Sequence, residues 1–338
     1  SKTAEGRSDS FRRLVGRLTF GIWSKSEITV SASAEDITSP IASVEYYKTS
    51  DAQAITKKEL NEITEWKNFK PFSIKSDQQL TIYLKIMDKA GNTSYISTNG
   101  MIVDSTDPRI ESIAPEVSIS PEQPVNGIYS GNVGVQIKVQ DPQVHGAYSG
   151  LKTISYRVLN MGNETQSGVL YQFDKTAPKQ SELRKDWSGS ITVDSTLNNS
   201  NDVVIEVFAE DNAKNASTNT ESIKIDITKP EITVRYDNNS PDSEKYYKDA
   251  RTATIVVNER NFDPKDIVVS ITNTDGAVPS ISSWTTGTGD GNLDNTPHTA
   301  TITYEADGDY TFDINYMDLA RNVCDGENYA TGTANGTE

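Results

Sequence analysis

The chain has 338 residues, 48 Asp and Glu against 32 Lys and Arg, a net charge of −16 and one cysteine, Cys324. That length accommodates two or three domains, each able to bury its own core. The charge argues against nucleic acid, which needs clustered cations to displace counterions from phosphate, and against anionic membrane surfaces; the lone cysteine excludes an internal disulfide framework.

Residues 1–19 are polar and basic and end in Phe11-Arg-Arg-Leu-Val-Gly-Arg-Leu18. They read as a tail or the lead-in from a preceding domain, with a short amphipathic helix as the alternative. Ser1 opens a polar segment, not the basic-plus-apolar start of a signal peptide, and the chain reads as a piece of something longer. No apolar run approaches the roughly 20 residues needed to span a bilayer, so no direct membrane insertion is expected.

Ile28, Val30 and Ala32 alternate with polar residues, the period-2 pattern of a half-buried strand. Thr56-Lys-Lys-Glu59 is a capping box followed by Leu60 and Ile63 at helical spacing, which predicts one short helix. Leu80, Ile82, Leu84 and Ile86 predict a strand running into Asp88-Lys-Ala-Gly-Asn92. Further on, Val133, Val135, Ile137 and Val139 alternate cleanly, and Ile154, Tyr156 and Val158 make another strand. Met161–Gly168, rich in Gly, Gln and Ser, and the long Lys175–Ser190 segment interrupt the pattern. Val203, Ile205, Val207 and Ala209 lead into Asp211-Asn-Ala-Lys-Asn215. The last third offers strands over Ile232–Tyr236, Thr252–Val257, Ile267–Thr272 and Thr299–Tyr304. Tyr310, Phe312, Ile314 and Tyr316 then lead into Asp318-Leu-Ala-Arg-Asn322.

One five-residue turn motif thus occurs three times, each time after an apolar strand pattern. Aligned on their aspartates, Leu80, Val203 and Tyr310 share one slot, and Ile86, Ala209 and Tyr316 another. After the first two copies comes Asp-x-Thr-x-Pro, at Asp104 to Pro108 and Asp226 to Pro230, 16 residues beyond Asp88 and 15 beyond Asp211. A fixed period of this length marks a small domain repeated in tandem. The expected fold is all-β: three tandem sandwiches over 20–107, 108–229 and 230–338, preceded by the 1–19 tail. Gly308-Asp-Tyr310 matches the tyrosine corner of immunoglobulin-type sandwiches, in which the hydroxyl ties back to upstream backbone.

The Asp-x-Ala-(Gly)-Asn turn followed by Asp-x-Thr-x-Pro resembles the bacterial immunoglobulin-like repeats of large cell-surface proteins in Gram-positive gut bacteria. Supporting segments are Ser43-Val-Glu-Tyr-Tyr47, Tyr247-Lys-Asp-Ala-Arg-Thr-Ala-Thr254, Asn258-Glu-Arg-Asn-Phe-Asp-Pro264 and Asp307-Gly-Asp-Tyr-Thr-Phe312. The resemblance covers residue 20 to the C-terminus and is loosest in the middle third. It implies three immunoglobulin-like sandwiches in an elongated array on the bacterial surface or secreted, of the stalk, adhesin or immunoglobulin-binding superantigen kind. Lys214 and Arg321 replace the usual glycine of the turn, so that slot need not adopt a glycine-only conformation.

Asp88, Asp211 and Asp318 are candidate cation ligands at domain junctions. A turn is the preferred reading: Asp accepts backbone N–H groups two residues on, Asn92, Asn215 and Asn322 suit a left-handed slot, and no junction shows clustered acids beyond Asp104 and Asp107. Asp290-Gly-Asn292-Leu-Asp294 begins like a calcium loop, but Asn295 stands where Gly is needed and Thr301 where the bidentate Glu belongs, so a solvated loop is expected. No metal and no cofactor is expected. Pro108 and Pro230 fix one backbone angle each and predict semi-rigid links.

His145 and His298 lack metal-ligand spacing, Cys324 has no nearby histidine, and no hydrolase, zincin or phosphate-loop motif occurs. The expectation is therefore not an enzyme but a monomeric surface protein that binds a host protein, immunoglobulin among the candidates, or a glycan. A passive spacer attached to a carbohydrate-active enzyme is the alternative. Trp66, Tyr148, Trp187 and Trp284 are the candidate contact residues, with core or edge packing as the plainer reading of each. The Gly146–Gly150 and Met161–Ser190 segments are candidate recognition loops.

Overall fold

The computed structural model describes residues 11–13, 18–115, 124, 126–324 and 329–331. Strands dominate, and one α-helix, Lys57–Glu62, stands among the described residues. That helix forms where its capping box predicts: the Thr56 hydroxyl accepts from Glu59 N, and the Glu59 carboxylate accepts from Thr56 N. Leu60, Tyr83 and Tyr95 form a small core beneath it.

The two-residue period explains most of the strands. In Val133–Gln140 the valines at 133, 135 and 139 and Ile137 are buried, and in Val203–Asp211 the apolar residues at 203, 205, 207 and 209 are. Burying one such side chain fully contributes roughly 1.5–3 kcal/mol, so each four-residue face outweighs any single turn contact.

Three large cores follow one another along the chain among the described residues. The first, around Val30, Ile82, Leu84 and Val103, lies between the sheet centred on Gln78–Asp88 and the strand pair Ile28–Val30 with Phe72–Ile74. The second gathers Ile110, Ile137, Ile154 and Ile205 between a three-stranded and a five-stranded sheet. Arg109–Pro115, Val133–Gln140 and Asp186–Val193 make the smaller sheet; the larger runs from Ile128–Tyr129 through Ala216–Ile225, Val203–Asp211 and Leu151–Asn160 to Asn163–Gln172. The third core, around Ile232, Ile255, Ile302 and Tyr316, again has sheets of five and three strands.

Several expectations need correction. Within the 1–19 tail or lead-in, residues Phe11–Arg13 form a strand paired with Thr98–Ile96 and not a helix; 14–17 lie outside the described residues. Met161–Gly168 does not interrupt the pattern: Met161 and Gly162, at φ 50° and 78°, make a tight hairpin turn, and Asn163–Gln172 continues as a ten-residue strand. In the repeated turn, Gly91, Lys214 and Arg321 have φ of 86°, 72° and 69°, so the glycine slot is left-handed in all three copies. The tyrosine corner is present: the Tyr310 hydroxyl donates to Ala306 O at 2.6 Å.

Candidate functional site

The repeated turn is a closed hydrogen-bonded ring. Asn215 N donates to Asp211 Oδ1 at 2.9 Å and Asn215 Nδ2 to Asp211 Oδ2 at 2.7 Å. Asn92 makes the same pair with Asp88 at 2.8 and 2.7 Å, and Asn322 with Asp318 at 2.8 and 2.9 Å. Both linkers are aspartate turns as well: Thr106 N donates to Asp104 Oδ1 and Thr228 N to Asp226 Oδ1, each at 3.1 Å. Pro108 and Pro230, which follow, are buried.

These turns and linkers meet, but not in the order their spacing suggests. The second and third turns each close on the linker before them. Asn215 Nδ2 donates to Asp104 O at 2.9 Å, and Asn322 Nδ2 to Asp226 O at 3.1 Å. A third acid joins each meeting point. Asp104, Asp141 and Asp211 place carboxylate oxygens within 4.8 Å of one another, and so do Asp226, Glu259 and Asp318. The premise that no junction gathers acids beyond Asp104 and Asp107 therefore fails; Asp107 is exposed and the new members come from far along the chain.

Strand periodicity aims these acids inward. Asp141 is the next inward position after Val139, Asp211 after Ala209, Glu259 after Val257 and Asp318 after Tyr316. An acid that continues an apolar alternation was the available signal for Asp141 and Glu259.

In the first junction Asp104, Asp141 and Asp211 are at most 1% exposed. Ser149 N donates to Asp104 Oδ2 at 2.7 Å and Gly150 N to Asp141 Oδ2 at 2.6 Å. Asp141 Oδ1 has no hydrogen-bond partner. Among the described residues, no Lys or Arg pairs with any of the three. Burial, with Asp104 and Asp211 alongside, pushes Asp141 up to about 8; burial pushes Asp211 up to about 7 and raises Asp104.

The second junction has the same plan with one addition. The Arg260 side chain, 1% exposed, reaches Asp226 Oδ1 at 2.9 Å through Nη2 and Asp294 Oδ2 at 2.7 Å through Nη1. Its Nη2 also donates to Asn199 Oδ1 and Ile225 O, tying the second core's loops to the third. Asn261 donates to Glu259 Oε1 and Asp226 Oδ2, both at 2.6 Å. Burial pushes Glu259 up to about 8 and Asp318 up to about 6, and raises Asp226 against the pull of Arg260. Asp294, expected in a solvated loop, is instead an ion-pair partner.

The candidate contact residues are not gathered. Trp66 lies 5.8 Å from Tyr95, Trp187 packs on the second core and Trp284 lies 5.2 Å from Phe262 on the third. All three are half-buried. Tyr148 packs beside Phe20, Ile102 and Leu183, between the first and second cores. The Gly146–Gly150 loop supplies donors to the acids, and Pro178 O within Lys175–Ser190 accepts from Phe20 N at 2.7 Å. Both segments are junction pieces. His298 stacks on Phe262 at 4.1 Å and bonds Glu259 O and Thr286, a satisfied core histidine, whereas His145 is exposed on a separate loop.

No family model and no curated protein sequence matches the chain. Among solved structures it is similar to a tetra-tandem repeat in the extending region of a large adhesion protein. Identity is 15%, coverage is 89% of this chain and 69% of that one, and the TM-score is 0.40. No described helix is long and apolar enough to cross a membrane.

Proposed function

We propose that this chain is a non-catalytic segment of a bacterial cell-surface protein. In this reading it is a tandem array of three immunoglobulin-like sandwiches, divided at 107/108 and 229/230, that presents a binding face to a host macromolecule. The observation that carries the array reading is the junction built twice on one plan, with an aspartate-turn linker clasped by the returning Asp-x-Ala-x-Asn turn. Buried, paired linkers hold neighbours in a fixed relation, which suits presentation at a distance. They leave the six clustered acids inside joints, apart from the open cavity lined by Tyr236, Arg251 and Tyr310.

The packed tryptophans move the candidate contact face elsewhere. At the start of the third unit Arg251 lies between the rings of Tyr236 and Tyr247, at 3.8 and 4.3 Å, and Tyr246 beside them is 55% exposed. Ordered aromatic faces of this kind suit a protein or a sugar ring. The packing of Trp66, Trp187 and Trp284 favours the spacer as second reading.

An immobilised-ligand screen of the whole chain against immunoglobulins, mucins, matrix proteins and gut polysaccharides separates the two. Saturable binding that weakens at least about tenfold in Tyr246→Ala, a hot-spot-sized loss, supports the binder. No binding to any class by the folded chain leaves the spacer.

A further inference from the structure

We propose that the first junction binds one divalent cation of the hard, oxygen-preferring class, calcium ahead of magnesium, through Asp104, Asp141 and Asp211. In the second junction Arg260 supplies the positive charge that the first takes from the ion.

Three features of the first junction point to an ion. Its three carboxylates are buried to within 1% with no cationic side chain paired to them among the described residues. Buried charges persist when paired or metal-bound and otherwise neutralise. Second, Asp141, 0% exposed, brings a carboxylate oxygen within 4.8 Å of those of Asp104 and Asp211, and its Oδ1 has no donor. The other five carboxylate oxygens each accept a hydrogen bond: four from the backbone N–H groups of Thr106, Ser149, Gly150 and Asn215, and Asp211 Oδ2 from Asn215 Nδ2. Such fixed donors orient ligands and leave lone pairs free to coordinate. Third, the donor set is all oxygen, without His or Cys, which selects calcium, magnesium or manganese over zinc and copper. Magnesium gives up water reluctantly and requires near-octahedral geometry, so a site walled by protein favours calcium.

The second junction repeats the three slots, Asp226, Glu259 and Asp318, and differs in its charge balance. Arg260 is buried against Asp226 and fixed by Asp294, so the guanidinium occupies one face of the acids. The longer Glu259 takes the place of Asp141. The two joints are thus one architecture with two different counter-charges.

The test is calorimetric titration of the chelator-treated whole chain with calcium chloride, then magnesium chloride, alongside thermal melts. One calcium site per chain is expected, about tenfold or more tighter than magnesium. It should weaken by about 10–100-fold in Asp141→Asn and change little in Glu259→Gln. Metal-free Asp141→Asn should melt at or above metal-free wild type, because a buried charge is gone, and gain less from the same calcium concentration than wild type does. If that variant does not fold, Asp104→Asn serves the same comparison. A folded wild type showing neither heat nor a melting shift at millimolar calcium overturns the site. Two equal sites, one of them lost in Glu259→Gln, overturn the role given to Arg260.

Discussion

Asp141 shows how one side chain can set the pH response of a joint. Burial holds its carboxyl at about 8 and that of Asp211 at about 7, against an ordinary 3.8. Well below pH 4 both groups are protonated whether the chain is folded or not, and neither costs stability. As pH rises from about 4 to about 8 the unfolded chain releases protons that the folded chain keeps, so stability falls; above about 8 the penalty is constant. Metal-free wild type should therefore lose more melting temperature between pH 5 and pH 8 than Asp141→Asn does. Equal slopes for the two proteins would show that burial among the acids does not raise Asp141. A second residue-scale effect sits two positions before Ala216, at Lys214, an exposed side chain held at φ 72°. Left-handed backbone is unfavourable for a residue with a Cβ, and glycine returns part of that gain as chain entropy. Lys214→Gly should raise unfolding free energy by about 0.5–1 kcal/mol in urea titration, and a loss would contradict the strained slot.

The turn and the linker are the elements from which the joints are made. Asn92 and Asn215 form the same ring with their aspartates, but only Asn215 also reaches a linker carbonyl, that of Asp104, among the described residues. Asn92→Ala should cost about 1 kcal/mol, and Asn215→Ala about 2–3 kcal/mol, since it leaves a buried carbonyl and a buried carboxylate oxygen unpaired. Denaturant unfolding of the two variants gives the difference, and equal losses would mean the clasp contributes nothing. Much at this scale was legible in the sequence. Val133–Val139, Val203–Ala209 and Tyr310–Tyr316 carry a clean two-residue period because one face is core, and Thr56–Glu59 announces its own helix. Asn163–Gln172 was not legible because it is the edge strand of its sheet, mostly polar on both faces, so its burial pattern is weak. The pairing of the second and third turns with their preceding linkers was hidden for a different reason. Asp211 and Asp104 are brought together by strand directions in three dimensions, while sequence spacing shows only the linker that follows. The four aromatic candidates, Trp66, Tyr148, Trp187 and Trp284, carry no period that separates a ring lying on a core from one facing solvent.

At the scale of the whole molecule the two joints hold by different means. The first adds an apolar patch, Leu18, Phe20 and Ile102 against Ala147 and Leu183, and Gly21 passes so close that an added Cβ would sit 2.2 Å from Thr176 O. The second is polar: Asn201 Nδ2 donates to Asn261 Oδ1 and Gly291 O, Asn126 Nδ2 to Leu319 O, and Arg260 crosses beside them. Polar contacts are more easily exchanged for water than apolar ones, so the second joint should open first as denaturant rises. Hydrogen exchange at Asn261 and Leu319, compared with Phe20 and Leu151, reads that order, and earlier exchange at the first joint would reverse it. The central claim is that clasped, buried linkers fix consecutive units relative to one another. Residual dipolar couplings measured on the calcium-saturated chain test it most directly. One alignment tensor should fit the amides of 20–103, 133–225 and 231–324 together; separate tensors of unequal magnitude for the three sets would show units moving independently and would contradict the account.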